Sequence, residues 1–239
     1  MAGLEWGELL GADVASSSLG YIDWYTFDDL DGETAVTTIA VTIAIENGMT
    51  VTTAAGNYGE NGIIAPADAF DVITCGAVNV DGEIAGFSSH GPTADGRIKP
   101  DVCAQGVNTY CANIDGPSSY RTANGTSLST PLVGGAVAII LSARPNWTPY
   151  MIREALMMTA DNVDNPDNQY GWGTIDIMAA IDYFSISGDV NNDAVLDVLD
   201  LVLIVNFILG PELPTEEQLN IADINNDGIL DVIDLVQLV

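Results

Sequence analysis

Two segments near the C-terminus of the 239-residue chain are close repeats of each other. GDVNNDAVLDVLDLV begins at Gly188, and ADINNDGILDVIDLV begins 34 positions later, at Ala222. In each copy an Asp- and Asn-rich loop runs directly into an apolar segment with helical spacing. Such a duplication indicates two copies of one small loop–helix unit that fold as a domain. We place the boundary at about residue 186, which predicts domains at 1–186 and 187–239.

The repeated loops carry the ligand spacing of EF-hand calcium loops. Side-chain oxygens stand at loop positions 1, 3, 5, 9 and 12, and a backbone carbonyl at position 7. The alternative is a pair of merely solvated acidic loops. The pattern predicts calcium as a cofactor at two sites, one formed by Asp189, Asn191, Asp193, Val195, Asp197 and Asp200, the other by Asp223, Asn225, Asp227, Ile229, Asp231 and Asp234.

Acidic residues dominate the charge of the whole chain. Five Lys and Arg stand against 34 Asp and Glu, so the formal net charge is −29. A surface of that sign repels nucleic-acid phosphates and anionic membranes, so we expect neither as a partner. The longest apolar stretch, residues 132–143, contains two glycines and is too short for a bilayer, so no membrane span is expected. No signal peptide is visible in the first ten residues.

The cysteines Cys75, Cys103 and Cys111 follow no metal-ligand spacing, and two of them lie in apolar runs. Two interpretations remain: buried free thiols, or a disulfide between Cys103 and Cys111. We favour the buried thiols.

The first 186 residues alternate between strand and helix patterns. Such an order is typical of α/β proteins, in which helices cover both faces of a parallel sheet. Strands are predicted at residues 14–20, 50–55 and 71–78. Helices are predicted at 35–47, from about 127 to before Pro145, at 148–159 and after Gly173.

The segment NGTSLSTP, residues 124–131, places Ser127 between small residues and immediately before a long apolar helix. Small neighbours let a substrate backbone approach the hydroxyl. The helix N-terminus adds free N–H groups and a positive dipole where an oxyanion would form. The alternative is that Ser127 is simply the N-cap of this helix.

NGTSLSTP resembles the nucleophile motif of the subtilisin family of serine proteases, and three more segments match in the family's order. SLG at residues 18–20 resembles its substrate-binding strand, and AAGNYG at 54–59 resembles its oxyanion-hole motif. FSSHGPTADGRIKPDV at 87–102 resembles the loop before the nucleophile. The resemblance spans residues 3–184 and implies an α/β, three-layer, subtilisin-like domain that is incomplete at its N-terminus.

The resemblance also implies roles for single residues. Ser127 matches the nucleophile, and the Asn57 amide would donate to the oxyanion together with the Ser127 backbone N–H. The alternative for Asn57 is a turn residue before Gly59. An extended peptide or protein substrate would be recognised through its backbone, with broad specificity. The resemblance assigns substrate binding to Ser18, Leu19, Gly20, Ala55 and Gly56.

In this family the catalytic triad runs Asp, His, Ser along the chain, and the Asp and the His both precede the SLG strand. The only His here, His90, matches no catalytic position, so we interpret it as a surface loop residue. Without an imidazole Ser127 has no base, and we expect this chain alone to be inert. We interpret Met1 as an internal start or fragment boundary. The parent is expected to carry the Asp and His segments and a signal peptide, and to be secreted or cell-surface-tethered.

The duplicated domain resembles a dockerin over residues 188–239, which implies calcium-dependent docking to a cohesin-bearing scaffold. Ala194 replaces the Gly expected at position 6 of the first loop, which predicts weaker calcium binding there. The apolar segment 201–209 suits either packing between the repeats alone or packing plus a partner surface. Four positions that are polar in many dockerins are apolar here, namely Val198, Leu199, Val232 and Ile233.

Two functions are therefore weighed. The first is a secreted serine endopeptidase tethered through its dockerin. The second is a non-catalytic, calcium-dependent docking protein on a decayed protease fold, which the missing Asp and His favour. Retention of Ser127, Asn57 and the SLG segment together favours the first, which we prefer for the parent protein.

Overall fold

A computed structural model of the protein describes residues 2–184, 186–193, 195–210 and 213–238. Ala194, on which the prediction of a weaker first calcium loop depends, lies outside the described residues. The chain divides into two compact units, residues 1–180 and 181–239.

The first unit is built on a parallel sheet of four strands in sequence order, β1 to β4, with an antiparallel hairpin formed by β5 and β6. The predicted α/β class is confirmed. The elements are α1 (Ala2–Leu9), β1 (Val14–Ser17), α2 (Val36–Glu46), β2 (Thr50–Ala54), β3 (Ile73–Val78), β4 (Val102–Gln105), β5 (Thr109–Ala112), β6 (Tyr120–Ala123), α3 (Thr126–Ala143), α4 (Pro149–Met158) and α5 (Ile177–Asp182).

Helices cover both faces of this sheet. Ala15 and Val51 pack into one apolar cluster with α2. Their neighbours Ser16 and Thr52 instead face Gly134 of α3. Because successive side chains of a strand point to opposite faces, α2 and α3 lie on opposite sides of the sheet, which gives three layers.

Helix α3 packs against all four strands of the sheet. Its 18 residues are long and apolar enough to cross a bilayer by length and composition alone, but the buried side of the helix packs on the sheet. Val133, Val137 and Ile140 are fully buried. The helix lies very close to the sheet, since a Cβ added at Gly134 would lie 2.9 Å from the Ser16 Cβ.

The structure differs from the sequence-based prediction in several elements. β1 ends at Ser17 instead of residue 20, because residues 18–20 form no ladder hydrogen bond with β2. Helix α1 and strands β4, β5 and β6 were not predicted. The strands have four residues each, which is too short for a clear hydrophobic period.

The cysteines are free thiols, and no disulfide joins Cys103 to Cys111. Cys75 and Cys103 are buried, as expected, whereas Cys111 is half-buried. Burial raises the pKa of both buried thiols far above the ordinary value, so they stay protonated and unreactive.

The second unit contains α6 (Val198–Leu209), α7 (Glu216–Ala222) and α8 (Val232–Leu238). Its core is formed by Val190, Ile204 and Ala222, with apolar side chains of α6 and α8 around them. A helical C-terminal unit agrees with the predicted all-α domain.

Candidate active site and calcium loops

Ser127 is the second residue of α3. This N-terminal end of the helix contacts the loop that follows β2. The N-cap of α3 is Gly125, with φ 143°, so the interpretation of Ser127 as the N-cap is wrong. A left-handed backbone of this kind favours glycine. The Ser127 side chain is therefore not used to cap its own helix.

The Ser127 hydroxyl makes its hydrogen bond with the segment after β1. Ser127 Oγ donates to the Ser18 carbonyl oxygen at 3.3 Å, and Ser18 Oγ donates to the Ser127 carbonyl oxygen at 3.0 Å. This reciprocal pair joins two residues that are 109 positions apart in the chain. It brings the predicted nucleophile to the start of the predicted substrate-binding segment.

Asn57 contacts the same helix end. Its side-chain oxygen accepts hydrogen bonds from the Thr126 backbone N–H at 2.9 Å and from the Thr126 hydroxyl at 3.1 Å. Because a backbone N–H can only donate, the carbonyl end of the amide must face α3. The amide NH2 then has no partner among the described residues and can donate to another oxygen, which an oxyanion role requires.

Ser89 supports the Asn57 loop, a contact that the sequence analysis missed. Its hydroxyl accepts the Tyr58 N–H at 3.1 Å, and its own N–H donates to the Gly56 carbonyl at 3.0 Å. Gly56 has φ 115°, and a Cβ there would lie 2.7 Å from Ser89 Oγ. The FSSHGP loop thus holds the segment that carries Asn57, and only the tertiary structure reveals this contact.

The predicted substrate-binding residues fall into two groups. Leu19 and Gly20 are exposed, and neither makes a backbone hydrogen bond to another described residue. By contrast Ala55 is fully buried, and its N–H and carbonyl bond to the backbones of Cys75 and Ile64. Leu19 and Gly20, just beyond β1, therefore leave a free backbone edge at the surface, whereas Ala55 and the buried Gly56 lie beneath it.

His90 lies on the FSSHGP loop but is half-buried, more than a surface loop residue would be. Its backbone N–H donates to the Gly59 carbonyl at 3.0 Å, and its Nε2 atom is buried without a partner in the described part of the chain. No imidazole hydrogen-bonds to the Ser127 hydroxyl within the described residues. His90 therefore belongs to the packing beside the Asn57 loop.

Where both are described, the two repeated loops of the second unit share most of their hydrogen bonds. Asp200 accepts the backbone N–H groups of Asn191 and Asp197, and Asp234, 34 residues later, accepts those of Asn225 and Asp231. Both carboxylates are fully buried. The residues at loop position 4, Asn192 and Asn226, share a left-handed backbone, with φ 57° and 56°.

No Lys, Arg or His follows Arg153 in the sequence, so the second unit contains no basic side chain of its own, whereas each of its loops is rich in carboxylates. Buried carboxylates are stabilised by cations, and hard oxygen donors fit calcium. In the described ranges, which omit Ala194, no three Asp, Glu, His or Cys side chains converge as a ready-made metal cluster. The carboxylate oxygens of Asp189 and Asp223 accept hydrogen bonds from backbone N–H groups of their own loops. The oxygen donors of both loops are of the kind that calcium prefers.

The sequence comparisons decide the family. The subtilase family profile matches residues 1–173, and the dockerin type I profile matches residues 187–239. The chain belongs to the subtilase family. It is 37% identical over 182 residues to subtilisin E of Bacillus subtilis (strain 168) and to subtilisin of Bacillus pumilus. The alignments cover 74% of this chain, but 43% and 60% of those two proteins.

Solved structures show the same fold. The protease domain of PatA and the prenylagaramide maturation protease PagA align with TM-scores of 0.64 and 0.63, at 26% identity. Both alignments cover 76% of this chain, and 65% and 66% of the other chains. This subtilase chain therefore shares the fold over about three quarters of its length, and it spans less than half of subtilisin E.

The subtilase domain also contains a buried charge network. Asp101 is fully buried, and it accepts hydrogen bonds from Lys99 Nζ at 2.7 Å, from the Thr74 N–H at 2.8 Å and from Arg153. Burial alone would raise the pKa of Asp101, but Arg153 and Lys99 together lower it. Burial lowers the pKa of Lys99 to about 8, opposed by Asp101. The network joins β3, β4 and α4.

Proposed function

We propose that this subtilase is the nucleophile-bearing part of a secreted or cell-surface-tethered serine endopeptidase, attached by its dockerin to a cohesin-bearing scaffold. The observation that carries the proposal is the position of Ser127. Its hydroxyl lies at the N-terminus of α3, bonded to Ser18 and beside an Asn57 amide whose NH2 group is free to donate.

The chemistry assigned to these residues is acyl transfer. Ser127 Oγ would attack a peptide carbonyl, and the Asn57 NH2 and the Ser127 backbone N–H would stabilise the oxyanion. The exposed edge at residues 18–20 would pair with the substrate backbone, as an added strand does. Recognition through the backbone implies broad specificity for peptide sequence.

We further propose that residues 1–239 alone are catalytically inert. The Ser127 hydroxyl donates to the Ser18 carbonyl, and the only His of the chain is bonded beside Gly59. Without a base the hydroxyl cannot be activated, and loss of triad members costs several orders of magnitude in rate.

A fluorophosphonate probe tests both statements. We would compare the chain with a chimera in which the upstream part of subtilisin E, which carries the Asp and His segments in its family, precedes residue 2. The expected result is labelling of the chimera only, lost in its Ser127→Ala variant. Labelling of residues 1–239 would disprove inertness, and a folded, unlabelled chimera would disprove the endopeptidase.

For the second unit we propose two calcium sites, one in each repeated loop. Buried Asp200 and Asp234 would each complete the ligand set of their loop. Bound calcium would supply the positive charge that this Lys- and Arg-free unit lacks. Calorimetric titration of the calcium-free chain should give two bound calcium ions per chain. The Asp200→Ala and Asp234→Ala variants should each bind one. A stoichiometry of one in the unaltered chain would contradict the proposal.

A second candidate function is a non-catalytic docking protein, favoured by the lack of an imidazole bonded to the Ser127 hydroxyl within the described residues. It predicts calcium-dependent binding to cohesins with no labelling of any extended form. The chimera experiment separates the two candidates.

A further inference from the structure

The loop after β1 exposes an aromatic pair. The rings of Tyr21 and Trp24 stack with centroids 5.4 Å apart and planes 12° apart, and 73% of Trp24 is exposed. Ile22 and Phe27 in the same loop are also exposed. Contiguous exposed apolar side chains commonly mark binding surfaces. We call residues 21–27 the aromatic loop.

The aromatic loop begins where the free strand edge ends. Ser18 bonds reciprocally with Ser127, Leu19 and Gly20 make no backbone hydrogen bonds to other described residues, and the Tyr21 N–H donates to the Ala65 carbonyl at 2.8 Å. An extended chain rises about 3.3 Å per residue, so Tyr21 stands about 10 Å along the edge from Ser18. With the residue next to the reacting bond beside Ser18, a peptide on this edge would place its fourth residue beside Tyr21.

The sequence of the aromatic loop and its flanks contains acidic residues but no basic ones, and the cation that folds close to them, Arg97, lies against Gly32 and is paired with Asp95. Asp23 is exposed on the loop and Asp28 directly after it, whereas Asp29 is held by the Thr26 N–H and hydroxyl at 2.7 Å each. The first 89 residues contain no Lys, Arg or His. A cation over an aromatic face is favourable, and the chain uses that contact elsewhere, with Arg97 lying 4.0 Å over the Phe70 ring.

We propose that the Tyr21–Trp24 pair, flanked by Asp23 and Asp28, determines specificity by binding an Arg or Lys side chain of the substrate. That residue is the fourth from the cleaved bond, on the side of the peptide that pairs with residues 18–21. The inference deepens the proposed endopeptidase function and rests on it.

The test uses residues 1–239 with Ser127→Ala, which prevents any turnover. Alanine-based octapeptides carry a single Arg at each position in turn, and matched peptides carry norleucine or Glu at the best position. Affinity is measured by isothermal titration calorimetry, and the indole N–H signal of Trp24 in ¹⁵N nuclear magnetic resonance, assigned with Trp24→Phe, shows whether the peptide contacts the aromatic loop. Trp6→Ala is the matched control, because Trp6 is also an exposed tryptophan but lies on α1.

Arg should bind about two- to fivefold more tightly than norleucine at one position only, and Glu more weakly than either. The preference for Arg should disappear in Trp24→Ala and persist in Trp6→Ala. It should shrink in the double variant Asp23→Asn, Asp28→Asn and at high salt. Equal binding of Arg and norleucine would overturn the cationic preference while leaving the peptide groove in place. If no peptide binds, the proposed groove fails together with this inference.

Discussion

The side-chain oxygen of Asn57 accepts two hydrogen bonds from Thr126, one from its backbone N–H and one from its hydroxyl. They join the loop after β2 to the first turn of α3. They also orient the amide, because its oxygen must accept from Thr126 and its NH2 group is then left without a partner among the described residues. A single asparagine thus ties the helix end in place and keeps a free donor on the loop that contacts it.

Asn57→Ala should lower the free energy of unfolding by about 1 kcal/mol, since it removes the acceptor for both Thr126 donors. Urea unfolding measures the change. Asn61→Ala is the matched control, because its amide makes one exposed hydrogen bond, to the Tyr58 carbonyl. An equal loss in both variants would contradict the role given to Asn57.

Gly134→Ala should destabilise the fold by about 1–2 kcal/mol, because the new methyl group meets Ser16 at 2.9 Å. Gly135→Ala, one residue along α3, meets nothing within 4 Å and should gain up to about 1 kcal/mol from helix propensity. Thermal unfolding compares the two. Adding Ser16→Gly to Gly134→Ala should recover part of the loss, and strict additivity would show that the contact is not its cause.

Lys99 should give stability a distinct alkaline pH dependence. Its folded pKa, about 8, lies below its unfolded value of 10.5, so the unfolded chain binds more protons between those values. The free energy of unfolding therefore gains a positive slope between pH 8 and 10.5, as the cost of the buried charge is relieved. Urea unfolding across this range should show that slope, and Lys99→Met should lack it. Identical slopes would disprove the assignment.

Asp101 should affect the free energy of unfolding at acidic pH. Its folded pKa is lowered, so its stabilising contribution is present above the ordinary carboxyl pKa of 3.8 and is lost as the pH falls below it. Asp101→Asn leaves Lys99 buried without its anion and should cost about 3–5 kcal/mol at pH 7. Equilibrium unfolding at pH 7 and pH 3 measures both effects. A variant as stable as the parent at pH 7 would contradict this account.

Gly228→Ala should weaken calcium binding by the second loop, because Gly228 holds a left-handed backbone with φ 82°. The strain of about 1–2 kcal/mol corresponds to a five- to thirtyfold loss of affinity. Ala194→Gly makes the reverse change at the same position of the first loop and should strengthen that loop. Calcium titration of both variants checks the pair, and unchanged affinities would remove position 6 as a determinant.

Much of the architecture could be predicted from local patterns. Helix α2 and strands β2 and β3 lie within about two residues of their predicted bounds, because buried apolar runs and Gly turns specify such elements locally. The end of β1 was missed because a strand needs a partner, and residues 18–20 have none in the described chain. The resemblance assigned substrate binding to Ala55, but packing buries this residue completely, and no local pattern shows that.

The sequence by itself determined the spacing of the calcium loops and the order of the subtilase motifs, since both are encoded within short runs of residues. Only the tertiary structure decided which groups meet: Ser18 with Ser127, Asn57 with Thr126, and Asp101 with Arg153. These partners stand 52 to 109 residues apart. No local period encodes such contacts, because they depend on how the helices and loops pack around the whole sheet.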